Sequence, residues 1–233
     1  MSTADRVADI LRVRIAEGFF PPGSRLTEKD IGGALRVSRN TLREAFRLLT
    51  HERLVEHELD RGMFVRALTV DDVVDLYQVR KLVECAAVRG MGDSPRGLHA
   101  VAAAVADGER ALDGGDWQAL GTADILFHQA LAALAGSSRL DELMRGVLAE
   151  LRLAFHAMVD PCRFHEPYLH RNREILDRLK AGDPTGAEGL LVKYLDDAEK
   201  QLIAAYRQRS LGAALERERS AGTSRVLRPT SRA

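Results

Sequence analysis

Cysteine is almost absent from this chain. With only two in 233 residues, Cys85 and Cys162, neither a disulfide framework nor a zinc knuckle can be assembled, and both thiols are expected to be buried. Long apolar runs are missing too. No stretch approaches the roughly 20 residues that cross a bilayer, and the opening Met1-Ser2-Thr3-Ala4-Asp5-Arg6 has no basic segment leading into an apolar one, so a cytoplasmic protein without a membrane partner is expected. Glycine-rich phosphate loops, Gly-x-Ser-x-Gly and His-Glu-x-x-His are lacking, which argues against the common nucleotide-binding and hydrolytic scaffolds. Net charge is the last absence: 34 basic residues balance 34 acidic ones. The balance is segregated, however, being slightly basic over residues 1–68, acidic over 69–206 and basic again from Arg207. Any contact with phosphates therefore belongs at the N-terminal end.

What is present there is a succession of short helical signals. Val7, Ile10, Leu11 and Ile15 recur at helical spacing until Gly18 and Pro21-Pro22-Gly23 stop the pattern. Thr27, followed by Glu28, Lys29 and Asp30, reads as an N-cap with an acidic first turn, opening a short helix that ends near Leu35. Ser38 is a good cap for a third helix, whose apolar stripe is Leu42, Ala45, Phe46 and Leu49. The period then changes. Val55, His57 and Leu59 alternate, Asp60-Arg61-Gly62 supplies turn chemistry, and Met63-Phe64-Val65 resumes an apolar run, which together read as a β-hairpin.

Around the third helix, Arg36, Arg39, Arg43 and Arg47 gather on one arc with Asn40 beside them, while the apolar stripe occupies a neighbouring arc. A solvated arginine face would look the same in isolation. In the context of a short preceding helix, the Ser38 cap and a following hairpin, the pattern is that of a winged helix-turn-helix, in which Arg grips guanine edges or phosphates and the wing tip reaches the backbone or minor groove. The pattern Gly18, Pro22-Gly23, Leu26, Glu28, Val37-Ser38-Arg39, Leu42-Arg43-Glu44-Ala45, Leu49, Leu54-Val55, Gly62 and Val65 resembles the GntR family of regulators. The resemblance implies a double-stranded DNA operator as partner, faced by Lys29, Arg39, Asn40, Arg43 and the wing residues Arg61 and Gly62; with Arg36, Ser38, Thr41 and Arg47 at and around the third helix, these make the expected DNA-binding set. Asn40-Thr41 departs from the frequent Thr-Pro.

From Thr69 to about residue 206 only helical periodicity appears, with five breaks that leave six helices. Tyr77-Gln78-Val79-Arg80 with Glu84, Asp124-Ile125-Leu126-Phe127-His128, and Ile175-Leu176 with Ala181-Gly182-Asp183 resemble the FadR-type (FCD) ligand-binding domain, six helices suiting its VanR-like branch. The expected architecture is thus mainly α: a winged helix-turn-helix over residues 1–68, an all-α six- or seven-helix bundle over 69–208 that binds effector and dimerises, and a disordered tail over 209–233. Asp124 and His128 stand at i and i+4 and could share a divalent metal such as zinc or nickel. The resemblance puts the remaining ligand positions at Asn172 and Tyr194, whose amide and phenol are poor ligands, so a metal is disfavoured. Arg80 and Arg152 are candidates to pair with a carboxylate of the effector, the alternative being an internal salt bridge such as Arg80 with Glu84, and the expected effector set is Arg80, Asp124, His128, Arg152, Asn172 and Tyr194. Of His165 and His170, only one can face such a cavity. The expected protein is a homodimeric repressor on an inverted-repeat operator. A metal-dependent hydrolase using Asp124 and His128 is the alternative.

Overall fold

The computed structural model describes residues 1–91, 97–158 and 161–226, with side chains described as far as residue 210 except at 161–163. Helix α1 (Thr3–Ala16) opens on a capping box, in which Ser2 and Asp5 satisfy each other's backbone N–H groups. It buries Val7, Ala8, Leu11 and Ile15, whereas Ile10 stays exposed because it stands 100° from that stripe. Helix α2 (Glu28–Leu35) follows Thr27 as expected, but the Thr27 hydroxyl donates to the Asp30 carboxylate instead of capping the backbone. It ends at Arg36, held in the left-handed conformation at φ 52°. Helix α3 (Arg39–His51) is capped by Ser38, whose Oγ accepts from Thr41 N at 3.1 Å, and it buries Leu42, Ala45, Phe46 and Leu49.

The hairpin is formed by β2 (Val55–Glu58) and β3 (Gly62–Val65), paired antiparallel with Glu58 opposite Gly62. Leu59 falls at the tip and is exposed instead of continuing the alternation. A third strand, β1 (Arg25–Leu26), pairs with β3 and makes the sheet order β1-β3-β2. Two residues carry no readable period, which is why the sequence does not announce it.

Six helices follow. They are α4 (Val70–Arg89), α5 (Leu98–Asp113), α6 (Trp117–Ala133), α7 (Ser138–Phe155), α8 (Pro161–Lys180) and α9 (Pro184–Val226). The capping box of Thr69 and Asp72 starts α4, Asp116 caps α6 and Ser137 caps α7. Helix α5 packs along α6, and α9 packs against α4 and α8. A continuous core of buried side chains extends from Val7 of α1 to Leu202 of α9, so the winged part and the bundle share apolar contact. Helix α9 passes residue 208, where the sequence places the start of a tail; residues 227–233 and the side chain of Cys162 lie outside the described residues. Cys85 is a buried free thiol. No helix among the described residues is long and apolar enough to cross a membrane.

Candidate functional site

Two surfaces of different chemistry emerge. The first is the outer face of α3. Arg39, Asn40, Arg43 and Arg47 are all exposed along it, with Lys29 and Arg36 exposed on and just after α2. Arg43 Nε reaches Glu28 at 3.0 Å and Arg47 reaches Glu44 at 3.2 Å. Exposed pairs of this kind contribute only about 0–1 kcal/mol, so a phosphate or base can displace them at little cost. Lys29, Arg36 and Arg39 pair with no carboxylate among the described residues.

Ser38 and Thr41 are engaged with each other, Oγ to Oγ1 at 2.9 Å as well as through the cap, and they therefore fix the start of α3. Asn40 and Thr41 border a shallow depression beside Ser2–Asp5 of α1. At the wing, Arg61 pairs with Glu58 and stacks over Phe64 at 5.0 Å. Gly62 takes φ 102° in the hairpin, and a side chain there would meet the Arg25 guanidinium at 3.5 Å. Arg25, exposed on β1 beside the wing, is a candidate the sequence reading missed, because its strand was not recognised.

The second surface is internal. Helices α4, α6, α8 and α9 bring Arg80, Glu84, Asp124, His128, His165, Asn172 and Tyr194 together, all buried. Arg80 Nε donates to Glu84 Oε1 at 2.8 Å, and its guanidinium lies 4.9 Å from the Tyr77 ring centroid. Glu84 Oε2 meets His128 Nδ1 at 2.7 Å, which assigns Nδ1 as the protonated ring nitrogen and turns Nε2 toward Asp124 Oδ1, 4.0 Å away. Asp124 Oδ1 accepts from Asn172 Nδ2 at 2.9 Å and from Tyr194 OH at 2.8 Å, while His165 Nδ1 stands 3.6 Å from Oδ2.

Burial opposes ionisation of Asp124, yet the approach of His165, the nearby His128 and the Asn172 hydrogen bond together hold its carboxyl well below the usual range. Burial likewise opposes Glu84, and Arg80 and His128 outweigh it and lower its pKa. Tyr194 is raised well above the usual phenol value by burial and by the Asp124 charge, so it stays a donor. Arg80 Nη2, His128 Nε2, His165 Nδ1 and Asn172 Oδ1 are buried without a hydrogen-bond partner in the protein.

Asp124, His128, Asn172, Tyr194 and Arg80 therefore converge as expected from the sequence, but Arg152 does not join them. It turns to Thr122 Oγ1 at 2.8 Å, on the opposite side of α6. The sequence reading missed Glu84 as the central link, having considered it only as the partner of Arg80, and it left His165 undecided. The signal for His165 was available: it precedes Asn172 by seven residues, two helical turns, and so shares its face.

A resident metal does not fit this arrangement. The two imidazoles address different oxygens of Asp124, Oδ1 already accepts two hydrogen bonds, and Asn172 presents its amide nitrogen to the carboxylate. Among the described residues no group of three His, Cys, Asp or Glu side chains is placed to hold an ion.

Contacts between the winged part and the bundle are specific. Arg66, after β3, donates to Glu150 of α7 at 2.6 Å and pairs with Asp72 of α4. His156, at the end of α7, donates from Nε2 to the Ile15 carbonyl of α1 at 3.1 Å.

Comparison with known proteins agrees with this geometry. Residues 3–65 match the model of bacterial regulatory proteins, gntR family, and residues 75–197 match that of the FCD domain. A GntR transcriptional regulator from Rhodococcus sp. RHA1 has a solved structure with TM-score 0.83 and 52% identity, covering 88% of this chain and 100% of that one. The probable D-xylose utilization operon transcriptional repressor of Paenarthrobacter nicotinovorans is 28% identical over 83% of this chain and 86% of its own. The galactonate operon transcriptional repressor of Escherichia coli K12 is 24% identical over 87% of this chain and 97% of its own. The matched models describe regulators and not enzymes, which removes the hydrolase alternative. The chain belongs to the GntR family of transcriptional regulators and carries a C-terminal FCD domain.

Proposed function

We propose that this regulator represses transcription as a homodimer on an inverted-repeat operator, and that a small carboxylate-bearing metabolite in the FCD domain releases it. Residues 1–68 are the DNA-reading domain and 69–208 the sensing and dimerising one, in the six-helix manner of the VanR-like branch. The observation that carries the effector reading is the set of unpartnered polar atoms around Asp124. Leaving a buried donor or acceptor unpaired costs about 1–3 kcal/mol each, and four of them converge in the centre of the bundle.

Arg80 Nη2 offers a charged donor suited to a carboxylate, and His128, His165 and Asn172 offer positions for hydroxyl groups. Relatives named for the D-xylose and galactonate operons support a hydroxylated ligand of this size class. Contacts of Arg66 and His156 across the two domains provide the path by which occupancy alters the pose of α1 and the recognition helix.

The test is a mobility-shift titration on DNA flanking the gene, with sugar acids such as galactonate and gluconate and the corresponding neutral sugars added. Release by acids, abolished in His128→Ala without loss of effector-free DNA binding, is expected. Release by neutral sugars alone would refute the carboxylate assignment. An operator bound equally by an Arg39→Ala, Arg43→Ala double variant would refute the recognition helix.

A further inference from the structure

A pocket lies where the two domains meet, on the side of α6 away from Asp124. Helices α1, α6 and α7 enclose a crevice of about 250 Å³ whose walls include Val13 and Ile15 of α1, Leu54, Ile125 of α6 and Leu148 of α7. Three guanidinium groups border it, from Arg12, Arg145 and Arg152, and among the described residues no carboxylate does. Arg12 is spent elsewhere, gripping Glu52 with two hydrogen bonds of 2.8 and 2.7 Å and pairing with Asp9. Arg152 is not.

Among the described residues its partner is the neutral Thr122 hydroxyl, and no carboxylate there comes within ion-pair distance of it. The other largely shielded arginines, Arg80 and Arg66, each hold a carboxylate. Burial lowers the Arg152 pKa with nothing offsetting it, the mark of a cation sheltered from water without a counterion. Arg145 and Arg152 stand seven residues apart on α7 and so project from one face, with Leu148 and Ala149 between them. A strip that is cationic at both ends and apolar between them, flanked by α1, suits an amphipathic anion.

We infer that this crevice binds a small organic monocarboxylate with a compact apolar body, its carboxylate on Arg152 and its body against Val13, Ile15 and Leu148. At about 30 Å³ per water-sized unit, the volume of about 250 Å³ holds about eight non-hydrogen atoms. A single ring or a short branched chain fills that volume. The site is separate from the Asp124 cluster: Ile125, Leu126 and Gln129 line the crevice, whereas Asp124 and His128 point about a third of a turn away on the same helix. One wall is α1, which also packs against α3, so the ligand sits between the bundle and the support of the recognition helix.

The experiment is isothermal titration calorimetry of the full chain with benzoate, cyclohexanecarboxylate and 3-methylbutanoate, and with uncharged benzyl alcohol as control. At least one acid is expected to bind at one site per chain, and more tightly than benzyl alcohol. Arg152→Gln should weaken that binding at least about tenfold, the loss expected for one charge-assisted contact. Ala149→Leu, which keeps Arg152 and fills the crevice, should weaken it as well, with both variants checked for an unchanged circular dichroism spectrum. Binding that survives both substitutions, binding of benzyl alcohol as tight as that of the acids, or no acid binding better than about 1 mM would each overturn the proposal.

Discussion

At the residue scale, what distinguishes the two ends of the chain is how each arginine is compensated. On α3 the guanidinium groups are exposed and loosely paired, so removing one leaves the fold intact and changes only what the helix can grip. Arg39→Ala is expected to weaken operator binding by about 1–3 kcal/mol and to relax selectivity at one base pair, as read by fluorescence anisotropy on an operator mutated position by position. A uniform loss across all sequences would instead assign Arg39 to a phosphate. Inside the bundle the consequence reverses. Arg80 is fully shielded and compensated by Glu84, itself held by His128. Glu84→Gln leaves a buried cation without its counter-charge and should destabilise the protein by about 3–5 kcal/mol, measured by urea unfolding. A loss below about 1 kcal/mol would show that Arg80 finds water or another partner.

At the scale of elements, the junction between α1 and α7 depends on one close approach. Gly18 has φ 79°, and a Cβ built there would lie 3.1 Å from His156 Cε1, the ring that donates to the Ile15 carbonyl. Gly18→Ala should therefore cost about 1 kcal/mol or more, from the left-handed backbone and from displacement of the ring. In a His156→Ala background the steric share disappears and the backbone share remains, so the two substitutions should be non-additive in a double-mutant cycle. Strict additivity would mean that the ring moves aside freely.

The same elements show what a sequence can disclose. The helices of the bundle were legible because each is bounded by a cap or a break, such as Thr69 with Asp72 or Gly182-Asp183-Pro184, and because burial imposes a period of 3.6 on residues such as Val73, Leu76, Tyr77 and Arg80. Strand β1 was illegible, since its two residues are defined by pairing with β3 and not by any local pattern. Of the internal site, the i to i+4 pair Asp124 and His128 was visible on one helix. The direction of Arg152 was not, because a long side chain near the edge of a stripe can turn to either neighbouring helix, and only the packing of α7 along α6 brings Thr122 within its reach.

For the whole molecule, acid should act first on the internal carboxylates. Both Asp124 and Glu84 have folded pKa values lowered from their ordinary ones, so the stability they contribute is fully present above the usual carboxylate range and is lost as pH falls through it toward the depressed folded values. Urea midpoints should decline below about pH 5, and Asp124→Asn should flatten that decline; an unchanged slope would show that Asp124 is not held as an ion.

The largest-scale expectation concerns assembly. One α3 of 13 residues can present only a few side chains to a major groove, too few to specify a site, whereas two copies related by a two-fold axis double the reading. The acidic bundle is the part free to supply the interface, and Leu82 on α4, 75% exposed, is an apolar group of the sort an interface covers. Leu82→Glu is expected to shift the protein from twice the chain mass to the chain mass in light scattering, and to weaken operator binding while the circular dichroism spectrum is retained. The operator gives an independent check. If two recognition helices are fixed in one dimer, their half-sites lie about one helical turn apart, 10 to 10.5 base pairs, and inserting about half a turn between them puts the second half-site on the far side of the duplex. Affinity should then fall to that of a single half-site, while inserting a full turn should restore part of it. Equal affinity for the half-turn insertion would show that each chain reads its DNA alone.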